Sequence, residues 1–245
     1  MSSHVATSPA KHARTGLMLA LTFSTGVIDA VGYLGLDRVF TGNMTGNIVI
    51  LGMGLAGTDD LPVTGPVIAL AGFLAGAVLA GRVARGAHPG WSARTTWLLL
   101  GVAVLLAASA VPGLVSPAVT GAWRDPVTAT LGVAMGVQAG AARTAAVKDV
   151  TTVVVTSTLV GLAFDARLAS GATQPWLRRL LAVALIGAGA LAGAQLLRIH
   201  FSLGSALAAL VTVAVALTGE RLRRAEHRVR VPIAHLPKDR ANEIF

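Results

Sequence analysis

One short stretch of the chain combines several side chains that can bind a polar solute. Residues 41–47 read TGNMTGN, so Thr41 and Thr45 lie four residues apart, as do Asn43 and Asn47. Residues at this spacing share one face of a helix, and Thr and Asn are also favoured caps at a helix N-terminus. The amides of such a terminus carry partial positive charge, which suits a small polar or anionic solute. The alternative is that these side chains satisfy neighbouring backbone and hold helices together.

An acidic residue, Asp29, interrupts the apolar sequence that precedes this stretch. A carboxylate at membrane depth is costly, so a functional role is the default hypothesis. The alternative is a structural role, with Asp29 close to the membrane interface or hydrogen-bonded to Thr25 or Tyr33. Gln138 occupies a comparable place in the second half of the chain, beside small residues.

The composition predicts an integral helical membrane protein. Of the 245 residues, 54% are hydrophobic and 13% are charged, and the mean hydropathy is +0.70. A soluble domain has about a quarter of its residues charged. Many apolar runs approach the length that spans a bilayer, about 20 residues. The eight apolar segments are 16–36, 41–57, 63–84, 96–116, 126–142, 150–164, 177–197 and 201–218.

The distribution of Lys and Arg favours six spans over eight, because cytoplasmic loops are enriched in these residues. Suppose that segments 41–57 and 150–164 dip into the membrane and return on the same side. All but three of the 20 Lys and Arg residues then lie on the cytoplasmic side, together with both termini. The pair Asp59–Asp60 lies outside in this arrangement. The net charge of +9 is then explained by topology, and no nucleic-acid partner is predicted.

The two halves of the chain have the same order of segments. MTGNIVIL at 44–51 aligns with VTSTLVGL at 155–162, which places Thr156 opposite Thr45. Each half contains an odd number of spans, so the second half is inverted relative to the first. Inverted repeats are typical of secondary transporters. The predicted organisation is a cytoplasmic tail at 1–15, a first membrane repeat at 16–118, a second membrane repeat at 126–218 and a basic cytoplasmic tail at 219–245.

Glycine pairs recur at matching places in the two halves. Gly72 and Gly76 stand in GFLAG, and Gly189 and Gly193 stand in GALAG. Glycines at this spacing let transmembrane helices approach closely. We expect helix contacts within the monomer, and the alternative is the face of a homodimer.

The sequence contains no combination of residues typical of an enzyme. Cysteine is absent, and the six His residues do not pair at helical spacing. Disulfides and thiolate catalysis are therefore excluded, and no metal site is predicted. No nucleotide-binding, zinc-protease or nucleophile-elbow motif occurs either. We predict no enzymatic activity and no cofactor.

Residues 25–52 resemble the signature of the YoaK family, a group of uncharacterised bacterial inner-membrane proteins. The resemblance extends over about residues 15–220. It implies a multi-pass helical protein of the bacterial inner (plasma) membrane, without an established substrate. The residues that match the motifs are Gly26, Asp29 and Ala30; Phe40, Met44, Thr45, Gly46 and Asn47; and Gly136, Gln138 and Thr156.

These observations lead to one hypothesis and one alternative. The hypothesis is an all-α, polytopic membrane protein with six spans, two short re-entrant or broken helices and 3+3 inverted repeats. It would be a small-solute transporter or channel, with a polar site between two discontinuous helices in the lipid bilayer. The alternative is a non-transporting membrane scaffold or sensor partner. The predicted site residues are Asp29, Asn43, Thr45, Asn47, Gln138 and Thr156.

Overall fold

The computed structural model of the chain describes residues 8–87, 90–115, 119–145, 159–160 and 176–230, which form helices and the turns that connect them. This part of the chain contains no strand, and the predicted all-α class is confirmed for it. A short 3₁₀ turn, Gly121–Trp123, leads into the fifth helix. The α-helices with described bounds are α1 (Ser8–Gly35), α2 (Met44–Leu55), α3 (Thr64–Val83), α4 (Ala93–Val115), α5 (Arg124–Ala145), α6 (Trp176–Ile199) and α7 (Phe201–Arg230).

Five of these helices, α1, α3, α4, α6 and α7, are long and apolar enough to cross a membrane. The fifth helix, α5, has 22 residues but is not among them. Arg124 and Asp125 stand in its first turn and Arg143 in its last, and the fully buried Gln138 adds a polar group within it. The chain is therefore a polytopic helical membrane protein, while a sixth span through α5 stays a prediction.

Helix α2 is too short to cross a bilayer. Its 12 residues extend about 18 Å, whereas the hydrocarbon core is about 30 Å thick. The guanidinium of Arg38, before α2, donates to the backbone oxygen of Asp59, after α2, over 3.2 Å. The chain thus enters and leaves α2 at the same end of the bundle, in agreement with a re-entrant segment. Of the second predicted segment, 150–164, only the helical residues 159–160 lie inside the described part of the chain.

Helices α1 and α6 pack so closely that their backbones touch. A Cβ added at Gly193 would lie 2.5 Å from the carbonyl oxygen of Val27, and one at Gly189 would overlap the carbonyl of Phe23. Only glycine fits at such positions, because any side chain would displace the facing backbone. Both contacts advance by one turn in the same direction, so α1 and α6 run parallel.

Helices α3 and α5 pack in the same way. A Cβ at Gly72 would lie 2.9 Å from the carbonyl oxygen of Ala129, and one at Gly76 would overlap the carbonyl of Val133. These two helices are also parallel. The prediction that Gly76 and Gly193 lie where helices nearly touch is confirmed, and the glycines of both pairs pack within the chain.

The ends of the predicted tails belong to the bundle. Residues 219–230 continue α7, and α1 begins inside the segment predicted as the N-terminal tail. The carboxylate of Glu220 accepts from the hydroxyl of Thr96 over 3.2 Å, and Glu226 pairs with Arg14 at 2.7 Å. Two acidic residues of 219–230 therefore contact α4 and α1, while the cytoplasmic placement of both tails stays a prediction.

Gly193→Leu should destabilise the protein, because the new side chain would meet the backbone of Val27. Overpacking of this kind typically costs about 1–3 kcal/mol. Gly187→Leu is the matched control on the same helix, because a Cβ there has no neighbour within 4 Å. Thermal unfolding of the purified protein in detergent measures both effects. Equal melting temperatures for the two variants would contradict the close packing of α1 on α6.

Candidate functional site

The carboxylate of Asp29 binds the backbone of the segment that leads into α2. Its Oδ1 accepts hydrogen bonds from the amide nitrogens of Thr41, Gly42 and Asn43, at 3.1, 2.6 and 3.3 Å. Asp29 is buried, so these bonds form away from the exposed surface of the bundle. The amides that the sequence suggested for an anionic solute are therefore occupied by the chain's own carboxylate.

The contact leaves little room for a side chain at position 42. A Cβ on Gly42 would lie 3.0 Å from Thr25 Cγ2, 3.3 Å from Asp29 Oδ1 and 3.4 Å from Met135 Cε. Gly42 is not among the glycines with a positive φ. Glycine at this position favours the close approach of the backbone to α1 and α5, and a left-handed conformation is not the reason for it.

Asn47 holds the same segment through a peptide-like pair of hydrogen bonds. Its Oδ1 accepts from the amide nitrogen of Phe40 at 2.9 Å, and its Nδ2 donates to the carbonyl oxygen of Phe40 at 2.5 Å. The side chain is fully buried. Both polar groups of the Phe40 backbone are thus satisfied inside the protein, as backbone at membrane depth requires.

Asn43 and Thr45 lie at the start of α2. The Oδ1 of Asn43 accepts from the amide of Gly46 at 3.1 Å and caps the helix. Both Asn43 and Thr45 are exposed. The two asparagines of TGNMTGN therefore bind backbone, as the structural alternative expected, and a direct role in solute binding stays a prediction. Thr156, the sixth predicted site residue, lies outside the described residues.

Gln138 of α5 joins this region through Thr25 of α1. Its Nε2 donates to Thr25 Oγ1 at 3.0 Å, and Thr25 in turn donates to the carbonyl oxygen of Leu21 at 3.0 Å. Thr25 stands one turn before Asp29, so Gln138 meets α1 beside the carboxylate. Thr25 is therefore not the partner of Asp29 that the sequence offered as an alternative. The sequence signal for placing Thr25 at the site was its position four residues, or about one helical turn, before Asp29.

One polar atom of the site is a buried acceptor without a partner. The side-chain oxygen of Gln138 is buried and has no hydrogen-bond partner. Asp29 adds a carboxylate one turn from Thr25. No group of three or more His, Asp or Glu side chains within the described part of the chain has the arrangement of a metal site. The arrangement suits a small ligand that donates hydrogen bonds.

Apolar helices of membrane-spanning length around a buried carboxylate define an integral membrane protein. The chain belongs to the family described as "Protein of unknown function (DUF1275)", which matches residues 17–218. The chain is 31% identical over 156 residues to "UPF0700 transmembrane protein YoaK" of Bacillus subtilis (strain 168), which covers 62% of this chain and 67% of that protein. No solved structure matches the chain significantly. The resemblance seen in the sequence is confirmed.

Asn47→Leu should destabilise the protein rather than act on a ligand alone. The substitution leaves the buried amide and carbonyl of Phe40 without partners, and each such group costs about 1–3 kcal/mol. Thr45→Leu is the control on the same helix, because Thr45 is exposed. Thermal unfolding should show a large decrease in the melting temperature for Asn47→Leu only. An unchanged melting temperature for Asn47→Leu would show that the two hydrogen bonds between Asn47 and the backbone of Phe40 do not stabilise the protein.

Proposed function

We propose that this protein is a small-solute transporter or channel of the bacterial inner membrane. Its central polar site would lie between α1, the start of α2 and α5. The observation that carries the proposal is the buried carboxylate of Asp29 within an apolar helix. Anchoring the segment 41–43 needs only a hydrogen-bond acceptor, which a neutral side chain also provides. An ionisable carboxyl group at this depth exceeds that need, which supports a role in binding or moving a solute.

The proposal includes six spans arranged as 3+3 inverted repeats. In this arrangement α1 and α5 are the first spans of the two halves, and α3 and α6 carry the matching glycine pairs. The first span of each half packs along the glycine pair of the other half, Phe23 against Gly189 and Ala129 against Gly72. This reciprocal packing is what a two-fold axis in the membrane plane produces, and it supports the repeat.

The proposed orientation has both termini in the cytoplasm. The ion pair of Arg14 with Glu226 joins the start of α1 to the end of α7, where several arginines cluster. At the opposite end, Arg124 pairs with Asp37 at 2.9 Å. The more basic end is the one expected in the cytoplasm.

Labelling of single cysteines tests this orientation, because the natural chain contains no cysteine. Intact cells that carry Asp60→Cys or Ala87→Cys are treated with a membrane-impermeant thiol reagent. The turn at Asp60 should react, whereas Ala87, between α3 and α4, should react only after the membrane is opened. The reverse result would overturn the proposed topology.

Solute flux into proteoliposomes tests the function. Asp29→Asn should decrease flux at least about tenfold, since it removes the charge that the proposed site uses. Asp60→Asn makes the same change in an exposed turn and should leave flux unchanged. Asp60 has a φ of 47°, a conformation that Asn also tolerates. Full flux in Asp29→Asn would reduce Asp29 to an anchor of the segment 41–43.

The second candidate is a scaffold or sensor partner that moves no solute. It is favoured by the backbone bonds of Asn43 and Asn47 and by the apolar surface of α2, where Ile48 is 60% and Leu55 is 71% exposed. That surface would contact lipid, a second copy of the chain or another membrane protein. This candidate would be favoured if the correctly folded protein in proteoliposomes gave no flux of cations, anions or neutral metabolites.

A further inference from the structure

The donors that face Asp29 and Thr25 are already used within the protein. All three amides of the segment 41–43 point to Asp29 Oδ1, and the hydroxyl of Thr25 donates to Leu21. The side-chain amide nitrogen of Gln138 is used by Thr25. An anion would have to displace bonds that hold α1, α2 and α5 together.

The site does have a free acceptor. Gln138 is fully buried, and its Oε1 has no hydrogen-bond partner. In the orientation that the structure has, the nitrogen of Gln138 donates to Thr25, whose hydroxyl donates to Leu21, and the oxygen of Gln138 faces no donor. Buried polar side-chain atoms usually have a partner, so such an atom at a candidate site indicates a missing donor.

The charge of Asp29 also lacks a basic partner within the described residues. The ion pairs there, such as Arg124 with Asp37 and Arg14 with Glu226, lie at the two ends of the bundle. A buried carboxylate without a counter-charge is strongly unfavourable, and hydrogen bonds from amides compensate it only in part. A cation that donates hydrogen bonds would supply both the charge and the donor.

We propose that the ligand of this site is an ammonium-type cation, either ammonium or a small protonated amine, bound by the oxygens of Asp29 and Gln138. Its N–H groups would donate to Gln138 Oε1 and to the carboxylate, and its charge would neutralise Asp29. The inference rests on the proposed function, since it names the class of solute that the site takes. It also replaces the anionic solute that the helix N-terminus suggested.

Thermal unfolding of the purified full-length protein in detergent tests the ligand class. Ammonium chloride and methylammonium chloride are titrated against choline chloride at equal ionic strength and pH. A cation that binds the folded state raises the melting temperature in a saturable manner. We expect this rise for the two small cations and not for choline, which is larger and has no N–H group, nor for sodium salts of different anions.

Variants identify the site. Asp29→Asn should abolish the shift, and Asp60→Asn, the exposed control, should keep it. Gln138→Met has a similar shape without the acceptor oxygen and should raise the midpoint concentration about tenfold, the effect of one hydrogen bond to a charged group. If Asp29→Asn does not fold, Gln138→Met tests the site instead. An unchanged midpoint concentration of ammonium for Gln138→Met would then overturn the proposal.

Two other results would overturn the ligand class. In the first, the melting temperature depends on which anion the salt contains and not on which cation. In the second, sodium, potassium and ammonium salts raise the melting temperature equally. Flux measurements separate this inference from the proposed function. Anion flux that depends on Asp29 would keep the transporter and reject the cation, whereas cation binding without any flux would keep the site and reject the transporter.

Discussion

The hydrogen bonds between the Asp29 carboxylate and the amides of residues 41–43 organise this protein. They fix the chain after α1 at the depth of Asp29 and so set where α2 begins. Unpaired amides in an apolar surrounding would be costly, and a carboxylate is the strongest acceptor that a side chain can offer them. Because Gly42 also lies against Thr25 and Met135, the same contact joins α1, α2 and α5.

The glycine contacts make this arrangement possible. Apolar burial gives little drive for association between helices that are already in lipid, so close packing and hydrogen bonds must hold them. The backbones of α1 and α6 touch at Gly189 and Gly193, and those of α3 and α5 touch at Gly72 and Gly76. Two tightly packed parallel pairs result. Gln138 joins α5 to α1 through Thr25, and Asp29 joins α1 to the segment 41–43.

The chemistry of the site follows from which polar atoms the fold uses. The amides of residues 41–43 bind Asp29, and the side-chain oxygen of Gln138 is left without a donor. A helix N-terminus taken alone favours an anion, but here Asp29 binds the amides just before α2 and Asn43 caps its first turn. The same residues that make the segment 41–47 look like an anion site in the sequence therefore form its internal support.

The sequence by itself determined the membrane class, the family, the short second segment and the close contacts at Gly76 and Gly193, because hydropathy, length and small residues act locally. It also singled out Asp29, Asn47 and Gln138, since polar residues are rare in apolar helices. Only the tertiary structure decided that Asn47 binds Phe40, that Asn43 caps α2 and that Gln138 meets Thr25. Whether a polar side chain serves a ligand or the backbone depends on which atoms come within hydrogen-bond distance, and residues far apart in the chain settle that only when the helices pack.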